Sequence, residues 1–91
     1  MRFDWDRRKA RVNLRIHGIS FAEATTVFRD PLSITINDPD HSEYEQRFVD
    51  IGMTNRRRLV VVSYAEREDW TRIISARLPT RDERSLYEET F

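Results

Sequence analysis

Hydrophobic positions along the chain follow two different periods, and the change falls at Pro31. At the start, Phe3 and Trp5 interleave with Asp4 and Asp6, the alternation of a short strand whose last aspartate is placed to cap a helix. Residues 7–16 then take helical spacing, with Ala10, Leu14 and His17 on one face. Gly18 supplies the left-handed residue that ends such a helix. Ser20-Phe21-Ala22-Glu23 predicts a capping box, in which the serine hydroxyl and the glutamate each satisfy a free backbone donor. Phe21, Ala24, Thr25 and Phe28 continue a second helix that Asp30-Pro31 stops, because proline disfavours a helical residue before it.

Beyond Pro31 the pattern alternates. Leu32, Ile34 and Ile36 oppose Ser33, Thr35 and Asn37 in a strand, and Asn37-Asp38-Pro39-Asp40 has the composition of a turn. Phe48, Val49 and Ile51 predict a second strand and residues 59–64 a third, with a hairpin loop at Asn55-Arg56-Arg57. A turn over 66–69 leads to a strand over 70–78. Pro79 ends it, and Thr80-Arg81-Asp82-Glu83 is a second capping box that opens a final helix. The order predicts one α+β domain over residues 1–91. It has a small antiparallel sheet of about four strands plus a short N-terminal strand, two N-terminal helices and one C-terminal helix. The helices are expected on one sheet face, leaving the other partly open.

Composition narrows the function. With 91 residues, 38% hydrophobic and 35% charged, the core is modest and a lasting partner is expected. No stretch is apolar enough to span a membrane and no export signal opens the chain, so the expected location is cytoplasmic. The absence of cysteine excludes disulfides and thiolate chemistry. The zero net charge hides a division: of 16 basic residues only Lys9 is lysine, and the arginines gather over 7–15, 56–58 and 72–84. Acids concentrate between Asp38 and Asp50. Arginine's planar fork fits phosphate oxygens, although a solvated charged face or a GC-rich genome would also account for the bias.

On the strand over 70–78, alternation puts Arg72 on one face and Arg77 on the other, so they share a face only if a bulge intervenes. Arg47, on a neighbouring strand, is a further candidate for the open face, with edge protection as the plainer explanation. Tyr87 packs its ring on the sheet in the simpler reading, or else helps to move a proton or hold a scissile phosphate. His17 is explained by its place at a helix end. His41, with Asp38, Asp40 and Glu43 around it, is the nearest approach to a metal site and is more simply a soluble turn. Two glycines cannot make a glycine-rich phosphate loop. RNA cleavage without metal needs a base for the ribose 2′-hydroxyl, cations for the phosphorane and an acid for the 5′-oxygen. Glu66 or Lys9 suits the base, and Arg47, Arg72 or Arg77 the positive charge.

The block Phe3-Asp4-Trp5-Asp6, Asn13, His17-Gly18, Ser20-Phe21, Glu23-Ala24, Val27-Phe28 and Asp30-Pro31 closely resembles the BrnT family of bacterial toxins. The resemblance continues through Asp38-Pro39-Asp40-His41-Ser42-Glu43, Arg47, Ile51-Gly52, Glu66-Arg67, Arg72-Ile73-Ile74-Ser75-Ala76-Arg77, Glu83-Arg84 and Tyr87-Glu88, covering nearly the whole chain. It implies a RelE-like ribonuclease fold, RNA cleavage that blocks translation, and no cofactor or metal. It also implies a BrnA-type DNA-binding antitoxin as partner in a hetero-oligomer, with DNA touched only through that antitoxin. Residue chemistry and resemblance together make Arg77, Arg72, Glu66 and Lys9 the catalytic candidates, and Arg47, Arg67 and Tyr87 the RNA contacts. Relatives often place a lysine directly after the Ser-Ala-Arg run, where this chain has Leu78-Pro79, which leaves Arg81 or Lys9 to supply that charge. The alternative is a catalytically degenerate toxin that acts as a binding partner in antitoxin-mediated autoregulation.

Overall fold

The structure, a computed structural model, describes residues 1–38 and 45–89. Its five-stranded sheet has the order β1-β5-β4-β3-β2, formed by β1 (Arg2–Asp4), β2 (Ile34–Asn37), β3 (Gln46–Met53), β4 (Leu59–Arg67) and β5 (Trp70–Arg77). β2 to β5 form the expected antiparallel meander, while β1 joins β5 in parallel and makes the sheet mixed. The helices are α1 (Arg7–His17), α2 (Phe21–Thr25) and α3 (Arg81–Glu88), with a single 3-10 turn, Thr26–Arg29, following α2.

Each helix start follows from its cap. Asp6 accepts the Lys9 N–H at 3.0 Å, and Gly18, at φ 71°, closes α1. Thr80 and Glu83 form the complete capping box that begins α3. The box expected at Ser20 forms only by half. Ser20 accepts the Glu23 N–H, but the Glu23 carboxylate turns inward to Arg58 at 2.6 and 2.7 Å and to the Thr54 hydroxyl at 2.8 Å. Arg58 also donates to the Gly18 carbonyl, so one buried carboxylate ties α2 to the β3–β4 turn. β2 begins two residues later than expected, because Asp30 accepts the Leu32 N–H and holds Pro31-Leu32 in a turn.

The helices do not all lie on one face. Ile19, Phe21, Ala24 and Val27 pack on Val60, Val62, Tyr64, Ile73 and Ala76, while Tyr87 of α3 packs with Ile51, Leu59 and Val61. Val60 and Val62 alternate with Leu59 and Val61 on β4, so α3 covers the opposite side of the sheet, and only one end of it. Among the described residues, no other helix covers the rest of that side.

β1 reaches only as far as Arg72, leaving the far part of β5 as an edge. Asn13 of α1 closes it. Its side-chain amide donates to the Ala76 carbonyl at 2.8 Å and accepts the Ala76 N–H at 3.1 Å, as a neighbouring strand would. The sequence pattern placed Leu14 and His17 with Ala10 on one helical face. Asn13, only 7% exposed, is the residue buried instead, and Leu14 faces out.

Candidate functional site

A bulge on β5 decides the geometry. Ser75 pairs with Ser63 and Ile73 with Tyr64, so Ile74 is the extra residue between them. Arg72 consequently aligns with Ala65 and Arg77 with Val61, four residues apart on β4, and both arginines point to the side that α3 only partly covers.

The open part of that side is built in rows. Asp4, Arg72, Ala65 and Arg47 align across four strands. Arg72 and Arg47 thus flank a small alanine, their Cα atoms separated by two strand spacings, about 10 Å. One step along lies Ser75–Ser63–Val49, and one step in the other direction lies Arg2–Trp70–Arg67. A hollow of about 180 Å³ opens here, lined by Asp38, Arg47, Ser63, Ile74 and Ser75 with Phe48 and Tyr64. Ile74 also lines a larger groove between α1 and β5, of about 370 Å³, rimmed by Arg8, Lys9 and His17.

The cations are held by carboxylates. Arg72 Nη1 donates to Asp4 at 3.0 Å. Arg67 reaches Glu45 at 2.7 Å, and Arg47 lies 3.4 Å from the same carboxylate. The hydrogen bond from Arg67 is the main cause that holds the Glu45 carboxyl below its usual range. Arg77 and Glu83 form a bidentate pair at 2.7 and 2.9 Å; chiefly through it, the Glu83 carboxyl is drawn down to about 2. Asp6 is held below its usual range mainly by the Lys9 N–H, and the charges of Lys9 and Arg72 add to this.

A family model for the "Ribonuclease toxin, BrnT, of type II toxin-antitoxin system" matches residues 5–83. The chain belongs to the BrnT family. The solved structure of the Brucella abortus ribonuclease toxin, BrnT, superposes with a TM-score of 0.65 at 21% identity, covering 89% of this chain and 99% of that one. The α+β architecture with its five-stranded sheet is therefore a BrnT fold. No curated protein matches the sequence.

Within this BrnT framework the candidates from sequence separate into groups. Arg47, Arg67 and Arg72 share the open face. Lys9 lies at the rim of the adjoining groove. Arg77 has the same orientation but is spent on the start of α3. Glu66 pairs with Gln46 and Thr71 and so points to the opposite side, toward the Thr71 hydroxyl, away from the arginines. Tyr87 is 3% exposed and donates its hydroxyl to Asp30; burial first, and then that partner, push it up to about 12. Its place is the core under α3.

Sequence reasoning passed over Asp4, Ser63, Ser75 and Trp70. Trp70 was accessible to it, since alternation puts it on the face of Arg72. The serine pair became visible only with the bulge. Among the described residues no three potential metal-ligating side chains cluster, and His41 and Glu43 lie outside them. No helix among the described residues is long and apolar enough to cross a membrane.

Proposed function

We propose that this chain is a toxin that cleaves RNA by a metal-independent route at the open face of its sheet, and that the cleavage blocks translation in the cytoplasm. The row Arg72–Ala65–Arg47 carries the reading: two guanidinium groups flank a small residue on a solvent-facing sheet, a seat suited to phosphate. Arg72 gives Nη1 to Asp4, and a guanidinium has further N–H donors for a second anion. In the proposed reaction a base takes the 2′-hydroxyl proton as that oxygen attacks phosphorus. The arginines stabilise the phosphorane, and the protonated 5′-oxygen departs, leaving a 2′,3′-cyclic phosphate.

Arg72 and Arg47 hold the phosphate in this scheme, and Arg67 flanks the RNA path. Asp4, the carboxylate paired with Arg72, and Lys9, on the first turn of α1, are the proton-transfer groups. Arg77 acts indirectly by fixing α3. Glu66 and Tyr87 have no direct part. The toxin–antitoxin family supports a protein partner, which we take to be a BrnA-type DNA-binding antitoxin in a hetero-oligomer that meets DNA only through it.

The test is cleavage of RNA by the purified chain with and without a chelator. Cleavage should survive chelation and fall about a hundredfold in Arg72→Ala, the scale of losing one charge-stabilising donor. Loss on chelation overturns the metal-independent route, and unchanged cleavage in both Arg72→Ala and Arg47→Ala overturns the site. One observation favours a second reading: each of these arginines already has a carboxylate beside it, as in a surface built for binding. Antitoxin binding without any cleavage would select a non-catalytic toxin.

A further inference from the structure

Trp70 stands on the open face at 42% exposure, although an indole ring is the side chain a small core could least spare. Its neighbours across the sheet are arginines, of which Arg67 is paired with Glu45. Arg2 and Arg67 align with it from the two neighbouring strands, and the Arg2 guanidinium carbon lies 5.5 Å from the centre of its ring. Two residues along β5, about 6.7 Å away, the Arg72–Ala65–Arg47 row begins.

We propose that Trp70 is a stacking platform for an unpaired nucleobase of RNA, one nucleotide from the phosphate held by Arg72 and Arg47. The inference rests on the RNA-cleaving reading and names how that site grips its substrate. An aromatic anchor for a protein partner wants apolar neighbours that exclude water. Trp70 has arginines on both sides instead, and these suit a ligand that joins an aromatic plane to a chain of anions. Stacking uses the π-face common to all bases, so the platform orients RNA without selecting its sequence. When a base arrives, Arg2 can remain against the indole or turn to a phosphate, and either keeps its charge in the site.

The probe is a short single-stranded RNA whose 2′-hydroxyls are methylated, so that binding is read without cleavage. A second probe lacks a base at one position. Binding of the intact oligonucleotide should quench tryptophan emission, and Trp70→Phe should lose that quenching while keeping most of the affinity. Trp70→Ala should bind about 5- to 150-fold more weakly, the range for one base–aromatic stack. With the base removed at the stacked position, that difference should disappear. If Trp70→Ala binds as wild type while Arg72→Ala does not, the RNA site stands and the platform is wrong. If wild type fails to bind the oligonucleotide at all, the RNA reading and the platform fall together. If RNA binding is unchanged but Trp70→Ala loses its antitoxin, Trp70 is a protein contact and the inference is overturned. Thermal melting of each variant separates these outcomes from misfolding.

Discussion

Gly52 lies on β3 where the sheet meets the 3-10 turn that follows α2, and the approach is close enough that any side chain would collide. A Cβ there would sit 2.8 Å from Val27 Cγ1 and 3.1 Å from Ser33 Cβ. Gly52→Ala should therefore destabilise the fold by about 1–3 kcal/mol, the usual cost of overpacking, seen as a lower midpoint in denaturant. Asp50 makes the opposite kind of prediction. It is buried and accepts the Tyr64 hydroxyl at 2.7 Å; burial pushes its pKa up, outweighing that hydrogen bond and the one from Thr35. A carboxyl that holds its proton more tightly when folded favours folding below its unfolded pKa, and that contribution is lost as pH rises through the folded value. Asp50→Asn should thus gain on wild type in thermal stability from about pH 4 upward; a gap that shrinks as pH rises would contradict the assignment.

One ion pair docks the start of α3, while Tyr87 holds its far end through packing and a hydrogen bond to Asp30. Glu83 caps Thr80 and grips Arg77, and its carboxyl is drawn to about 2 mainly by that arginine. A depressed carboxyl contributes stability above its unfolded pKa and loses it as pH falls toward the folded value. After allowing for solvent around the pair, the contribution at neutral pH is about 0.5–1 kcal/mol. Glu83→Gln should lower the melting temperature at pH 7 and converge with wild type near pH 2. The edge of β5 offers a second test. Asn13→Ala would strip partners from the N–H and C=O of Ala76 and from the Ile19 carbonyl, costing about 1–3 kcal/mol for each group left dry. Amide exchange at Ala76 should then rise well above that of its neighbours in β4.

These elements show what the sequence made legible. Caps, alternation and proline stops give nearly every strand and helix, because each rests on local chemistry. The amphipathic pattern of α3 shows that one side of the helix is buried, but not which sheet face receives it. The Ser20 box is incomplete because Arg58, 35 residues from Glu23, supplies a stronger partner than the local N–H. Asn13 reads as a polar helical residue until the short reach of β1 reveals an open edge.

Across the whole molecule, zero net charge resolves into a sheet with two unlike sides, one closed by α1 and α2 and the other half covered by α3 and carrying arginines. The arginine content of this site was evident in the sequence, but its arrangement was not. Strict alternation separates Arg72 from Arg77, and the single extra residue at Ile74 reverses that result. Glu66 shows the converse: adjacent to Arg67 in sequence, it points away because successive strand residues face opposite sides. The fold and family make the chain a BrnT-type toxin, and the central claim is that its open face is where RNA is cut. The most direct test induces wild type, Arg72→Ala and Arg47→Ala alone in cells at matched soluble levels and follows growth together with RNA integrity. The account predicts arrest and RNA loss with wild type, and relief of both in the two variants at unchanged melting temperature. Arrest and RNA loss undiminished in both variants would contradict it.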